Sequence, residues 1–245
     1  MAAVLYLAMT AAEFSASPNL PGHIAWMACH FSPYGTGLIN LPSALPAGSI
    51  LILNDRIPIC GHTKNRVVHE LQQTVETFDC SGVLLDFEVP HHPELKEIAA
   101  CICQELPCPA AVSHAYAADL SCPVFLPPCP HHTSLAEYIA PWQDREIWLD
   151  LAVNAETITL TAEGSTIQQF PPGEIPENGH PEKNLHCHYR TESWEDHARF
   201  TLWRTKEDLE ALAQEAQKLG VSKLAGLFQE WNKMQKPVCK SADRF

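Results

Sequence analysis

Three observations make a (β/α)8 TIM-type barrel the fold that this sequence predicts. Eight short apolar runs recur along the chain, at 3–9, 24–29, 49–53, 83–87, 110–113, 124–126, 147–151 and 223–228. Most are apolar at consecutive positions, which marks strands buried on both faces of a parallel sheet. Helical spacing fills several of the intervals, and strand–helix alternation belongs to the α/β class. Eight such units in 245 residues fit one barrel near the lower size limit of that fold. An open doubly wound sheet is the alternative that shares the alternation.

The helices follow from the positions of the apolar residues. Segment 63–78 places Val67, Val68, Leu71, Val75 and Phe78 on one face, and 93–106 does the same with Leu95, Ile98, Ala99 and Ile102. Segment 205–219 opens on Thr205, a residue that can cap a first turn, and ends before Gly220. After the first, second and fifth strands the outer helices should be short or missing, because Pro-rich loops occupy those gaps. Two alternating patterns interrupt the scheme. Segments 157–161 and 167–170 can pair across Glu163–Gly164, and 186–191 can pair with 198–203. An antiparallel excursion over 155–203 is therefore expected between strands seven and eight. The whole chain, 1–245, otherwise reads as a single barrel domain, with no internal repeat and no low-complexity tract.

Composition narrows the partners. The 46% apolar content excludes a disordered chain. Twenty-nine acids face 16 bases for a net charge of −13, and no base precedes Arg56, so nucleic acid is not an expected partner. A neutral or cationic partner fits better. Neither a G-x-G-x-x-G nor a P-loop is present, so no nucleotide cofactor is expected. No stretch reaches the roughly 20 apolar residues of a membrane helix. The apolar start, 1–12, lacks a basic n-region and is broken by Glu13, so it reads as a buried first strand rather than a signal peptide. Ten cysteines are irregularly spaced without a C-x-x-C pair, as expected of reduced thiols in a cytoplasmic protein. An acidic barrel with short outer helices could cover exposed core by pairing as a homodimer.

The segment with most chemical content is Gly82-Val83-Leu84-Leu85-Asp86-Phe87-Glu88-Val89-Pro90. Alternation along a strand puts Leu84, Asp86 and Glu88 on one face. Two carboxylates at i and i+2, where a buried strand ends, are costly without a function, and that end of a barrel carries active sites. Mutual repulsion should raise one carboxyl pKa, leaving an acid able to protonate a glycosidic oxygen. The structural alternative has Glu88 solvated in a loop and Asp86 capping a backbone N–H.

Asp-Phe-Glu-x-Pro after Gly-Val-x-Leu resembles the second half of the signature of family 18 glycoside hydrolases, the chitinases and endo-N-acetylglucosaminidases. That signature, Asp-x-x-Asp-x-Asp-x-Glu, ends the fourth strand of a (β/α)8 barrel, and 83–87 is the fourth run here. The resemblance implies Glu88 as general acid and Asp86 as the group orienting the substrate's N-acetyl, whose carbonyl oxygen is the nucleophile. It also implies hydrolysis of β-linked N-acetylglucosaminyl bonds with retention, no metal, and a carbohydrate ligand. The segment Ala225-Gly226-Leu227-Phe228-Gln229-Glu230-Trp231 resembles the family's eighth strand, which sets a Trp beneath the sugar. Two signature carboxylates are absent, their places taken by Ser81 and Leu84. Leu84 removes the group with which Asp86 would share a proton, so a barrel that binds sugar without cleaving it stands as a second reading.

Other strand ends carry polar groups suited to a polyhydroxylated ligand. Asn54, Asp55 and Arg56 follow strand three, His114 and Tyr116 end strand five, Asp150 lies in strand seven, and Gln229 with Glu230 closes strand eight. Tyr34, in the loop 30–37, could form a sugar platform or belong to a tight turn. A metal-dependent barrel hydrolase is the third reading. Thirteen histidines include His186 and His188, two residues apart on one strand, with Asp86 or Asp150 available as carboxylate. Against it, no H-E-x-x-H occurs, and the pairs His91-His92 and His131-His132 read as solvated residues ahead of helices.

Overall fold

The computed structural model describes residues 3–17, 22–59, 61, 64–170, 176 and 178–235; Thr63, Cys60 and His62 lie outside the described residues. The strands in chain order are β1 (Val4–Met9), β2 (Ile24–Phe31), β3 (Leu38–Ile39), β4 (Ile50–Asn54), β5 (Gly82–Asp86), β6 (Ala110–Ser113), β7 (Val124–Leu126) and β8 (Ile147–Asp150). After them come β9 (Ala155–Thr161), β10 (Gly164–Phe170), β11 (His180–Glu182), β12 (Cys187–Ser193), β13 (His197–Trp203) and β14 (Lys223–Leu227). Parallel pairing runs β1-β14-β8-β7-β6-β5-β4-β2 and returns from β2 to β1, which closes an eight-stranded barrel. The short β3 pairs antiparallel on the edge of β2. All eight predicted apolar runs are barrel strands, so the open sheet is excluded.

Seven helices cover the outside: α1 (Ala11–Ala16), α2 (Lys64–Phe78), α3 (Pro93–Glu105), α4 (His114–Ala117), α5 (Leu135–Ile139), α6 (Lys206–Lys218) and α7 (Phe228–Gln235). As the prolines indicated, α1 and α4 are short and β2 turns into β3 instead of a helix. Each strand divides its residues between two cores. In β5, Val83 and Leu85 meet α2 and α3 through Val67, Leu71, Leu95 and Ile98. Leu84 points the other way, into a barrel interior shared with Tyr6, Ile50, Ile52, Phe125 and Trp148. Burying each large side chain in these layers is worth about 1.5–3 kcal/mol. The last helix, α6, starts in a capping box. The Thr205 hydroxyl accepts from the Asp208 N–H, and the Asp208 carboxylate accepts from the Thr205 N–H at 2.8 Å. Gly220, at φ 88, then takes the left-handed turn that ends it.

Between β8 and β14 the chain makes a five-stranded antiparallel sheet, in the order β10-β9-β13-β12-β11. Its two hairpins are those expected, and β13 joins them by pairing with β9. Arg204, 2% exposed, anchors the sheet to the barrel by donating to the carbonyls of Cys129 at 2.6 Å and His186 at 3.1 Å. His131 departs from its expected solvation. It is fully buried, with Nε2 3.1 Å from the Asn154 carbonyl and Nδ1 3.4 Å from Glu156. A chain that leaves a barrel strand for a second sheet must satisfy its backbone at the crossing, and His131 does part of that.

Candidate functional site

The C-terminal end of the barrel holds a pocket of about 330 Å³ whose floor is apolar, formed by Ile52, Leu84, Phe125 and Ala225. Asn54, Arg56, Asp86, Glu88 and Asp150 rise around it. Asn54 ends β4, Asp86 ends β5 directly opposite it in register, and Asp150 ends β8. Strand pleating explains the convergence: each follows, at i+2, a residue whose side chain fills the barrel interior. Glu88 lies two residues past the end of β5, so it stands on a loop rather than on the strand, yet its side chain still lines the pocket.

That loop is held from three sides. Both carboxylate oxygens of the buried Asp55 accept backbone N–H groups, from Glu88 and from Val89, each at 2.9 Å. The Ser113 hydroxyl accepts from the Phe87 N–H at 2.9 Å and donates to the Leu85 carbonyl. Tyr116 donates its phenol to the Val89 carbonyl and accepts from the His92 N–H. Asp55 and Tyr116, expected as ligand groups, are therefore occupied in fixing the Glu88 backbone. Neither lines the pocket. Ser113 was not expected at all; a small hydroxyl residue ending an apolar strand was the only sign of it.

The predicted ring of polar strand ends is partly corrected. His114 and Tyr116 do not end strand five but begin α4, and His114 is exposed. Strand eight stops at Leu227, so Gln229, Glu230 and Trp231 belong to α7. An expected strand became a helix because Phe228 to Trp231 have already left the barrel wall. Trp231 packs in the outer core with Leu151, Leu224 and Leu209, against Gly226, where a Cβ would collide with the indole. Its ring is outside the pocket. Glu230 accepts the Val153 N–H at 2.9 Å and thereby ties α7 to the loop after β8. Tyr34 is 85% exposed at the tip of the β2–β3 hairpin, where Ser32 and Thr36 share a hydroxyl hydrogen bond of 2.7 Å.

Charge in the pocket is dominated by carboxylates. Burial, then the neighbouring charges of Glu88 and Asp55, push Asp86 up to about 6, although Arg56 pulls the other way. Burial raises Asp150 to about 7, helped by Asp86 and Glu230 and opposed by its hydrogen bond to the Leu151 N–H. The repulsion expected from Asp86 and Glu88 is therefore present, and it acts on Asp86 together with a carboxyl from across the barrel. The histidines considered as metal ligands lie elsewhere. His186 pairs with Glu215 and His188 with Asp208 at 2.7 Å, both on α6. Among the described residues no group of three or more His, Cys, Asp or Glu is arranged to hold a metal ion.

Comparison with known proteins places the architecture. No family model and no curated protein matches this sequence. Solved structures do match its fold. The chitinase from Chromobacterium violaceum superposes with a TM-score of 0.53 over 98% of this chain and 100% of its own, at 11% identity. A mutant of the family 18 chitinase from Cycas revoluta, solved with (GlcNAc)4, gives 0.53 over 91% and 94%, at 10% identity. The Bacillus cereus spore cortex-lytic enzyme SleL gives 0.51 over 95% and 74%, at 9% identity. The chain thus has the TIM-type barrel fold of these glycosidases, at an identity that speaks for fold alone.

Proposed function

We propose that this barrel is a glycoside hydrolase acting on β-linked N-acetylglucosaminyl bonds, as found in chitin, peptidoglycan and glycans. The observation that carries the reading is the joint placement of Asp86 and Glu88. Both face one pocket at the C-terminal barrel end, and the backbone between strand and pocket is clamped by Asp55, Ser113 and Tyr116. Glu88 would give its proton to the glycosidic oxygen as the bond from that oxygen to C1 breaks. The substrate's own acetamide oxygen would close on C1 from the opposite face, held by Asp86. Water then opens that intermediate with Glu88, now ionised, taking its proton, so the anomeric configuration is retained. Each step uses a carboxyl in the pocket and none requires a cofactor.

A second reading, a carbohydrate-binding barrel without catalysis, is favoured by Leu84 on the pocket floor and by Trp231 outside the pocket. Release of a fluorophore from N-acetylglucosamine oligomer glycosides, in chelator, separates the two. Turnover that persists in chelator and falls at least about 100-fold in Glu88→Gln supports hydrolysis with Glu88 as acid. Oligosaccharide binding without turnover supports the second reading. Neither binding nor turnover rejects a carbohydrate site altogether.

A further inference from the structure

The pocket brings together two carboxyls that are remote in sequence, Asp86 and Asp150. They come from β5 and β8, three strands apart around the barrel, and each is the last residue of its strand. Beneath them lie only Ile52, Leu84, Phe125 and Ala225, so the floor offers neither cation nor hydrogen-bond donor to separate two negative charges. A cavity with apolar walls cannot keep two facing carboxylates ionised at little cost; retaining one proton between them is the cheaper state.

We propose that Asp86 and Asp150 hold one proton between them across the pocket, so that Asp150 supplies from β8 the carboxyl that Leu84 withholds from β5. Asp150 is then a positioning residue: its proton fixes which oxygen of Asp86 is free to face the ligand beside Glu88. The electrostatics agree. Asp86 ionises first, and its charge then holds the proton on Asp150. The other groups bearing on the pair are Glu88, Asp55 and Arg56 around Asp86, and Glu230 with the Leu151 N–H around Asp150. Only Arg56 is a cation, and it bears on Asp86 alone. The catalytic consequence of this pair rests on the glycosidase reading; the shared proton does not.

Carboxyl ¹³C NMR titration of the full chain, labelled at Asp, tests the pair without any substrate. The expected result is a coupled titration, with the Asp86 and Asp150 carbons each reporting both ionisations. In Asp86→Asn the midpoint of Asp150 should fall by about one pH unit, and in Asp150→Asn the Asp86 carbon should show a single step. Unchanged, independent titrations of each carboxyl after removal of the other would overturn the proposal. Both substitutions remove charge from a buried site, so backbone spectra should remain native. Leu84→Asp in the Asp150→Asn background should restore the two-step profile at Asp86, and also the pH profile of turnover if the barrel is a glycosidase. Should Leu84→Asp fail to fold, the two asparagine variants still decide. Absence of turnover in the native protein, with the coupled titration intact, would reject the glycosidase reading and leave the pair standing.

Discussion

The two ends of the barrel treat charge in opposite ways. At the N-terminal end, Lys223 is enclosed but fully engaged. Its ammonium stands 4.1 Å from the Trp148 ring centroid and 5.7 Å from that of Tyr6, and it donates to the Ser81 carbonyl at 2.8 Å. Trp148 in turn donates to Glu146 at 2.9 Å, and the Tyr6 phenol bonds Ser81 at 2.9 Å. At the C-terminal end, Asp86, Glu88 and Asp150 face one arginine across a pocket of about 330 Å³. The first arrangement satisfies every buried charge and closes the barrel. The second leaves like charges together, which lowers stability and is what a site needs if it is to hold protons for a ligand.

Substitutions at the two ends should therefore change stability in opposite directions. Trp148→Ala, which opens a cavity beneath Lys223, should cost about 3–5 kcal/mol in denaturant unfolding. A loss under about 1 kcal/mol would mean that the N-terminal plug does little. Gly82 belongs to the same plug, since a Cβ there would come within 2.6 Å of the Trp148 ring. Asp55→Ala strips the acceptor from two N–H groups and should cost about 1–3 kcal/mol. It should also lower turnover, because the Glu88 loop loses its anchor. Loss of stability with turnover intact would show that the loop needs no such clamp.

The smallest effect has the opposite sign. An Asp normally ionises near 3.8, but folded Asp150 does so at about 7. Below about pH 4 both states are protonated and no difference exists. As pH rises from there to about 7 the folded state keeps a proton that the unfolded chain has lost, so stability falls, and the full deficit remains above that window. Asp150→Asn removes the deficit and should stabilise the protein at pH 8 by on the order of 1–3 kcal/mol, fading towards pH 4. Denaturant midpoints at pH 4, 6 and 8 read this directly. Destabilisation at pH 8 would show that Asp150 is paired by a group with positive charge and would erase the contrast between the two ends.

Much of the site was legible because strand alternation is local. Asp86 and Asn54 reach the pocket because each ends a run whose period-two pattern points it inward, and no distant residue has to be known. Glu88 was placed correctly in space but for a different reason. It lies past the strand, and its loop is aimed by Asp55, Ser113 and Tyr116, whose partners are 24 to 34 residues away in the chain. Trp231 was misplaced because an apolar run ending in an aromatic reads as strand, whereas the chain turns into α7 at Phe228.

The sequence by itself determined the barrel, its inserted hairpins and the order of its strands, because burial on two faces writes itself as consecutive apolar residues and each turn as Pro or Gly. The company of each side chain at the barrel mouth was decided only by closure. Asp86 and Asp150 are 64 positions apart, and nothing local to either predicts that the other will face it across an apolar floor. Ionisation depends on distance and solvent through the fold, and those are set when β1 meets β2 and the ring shuts.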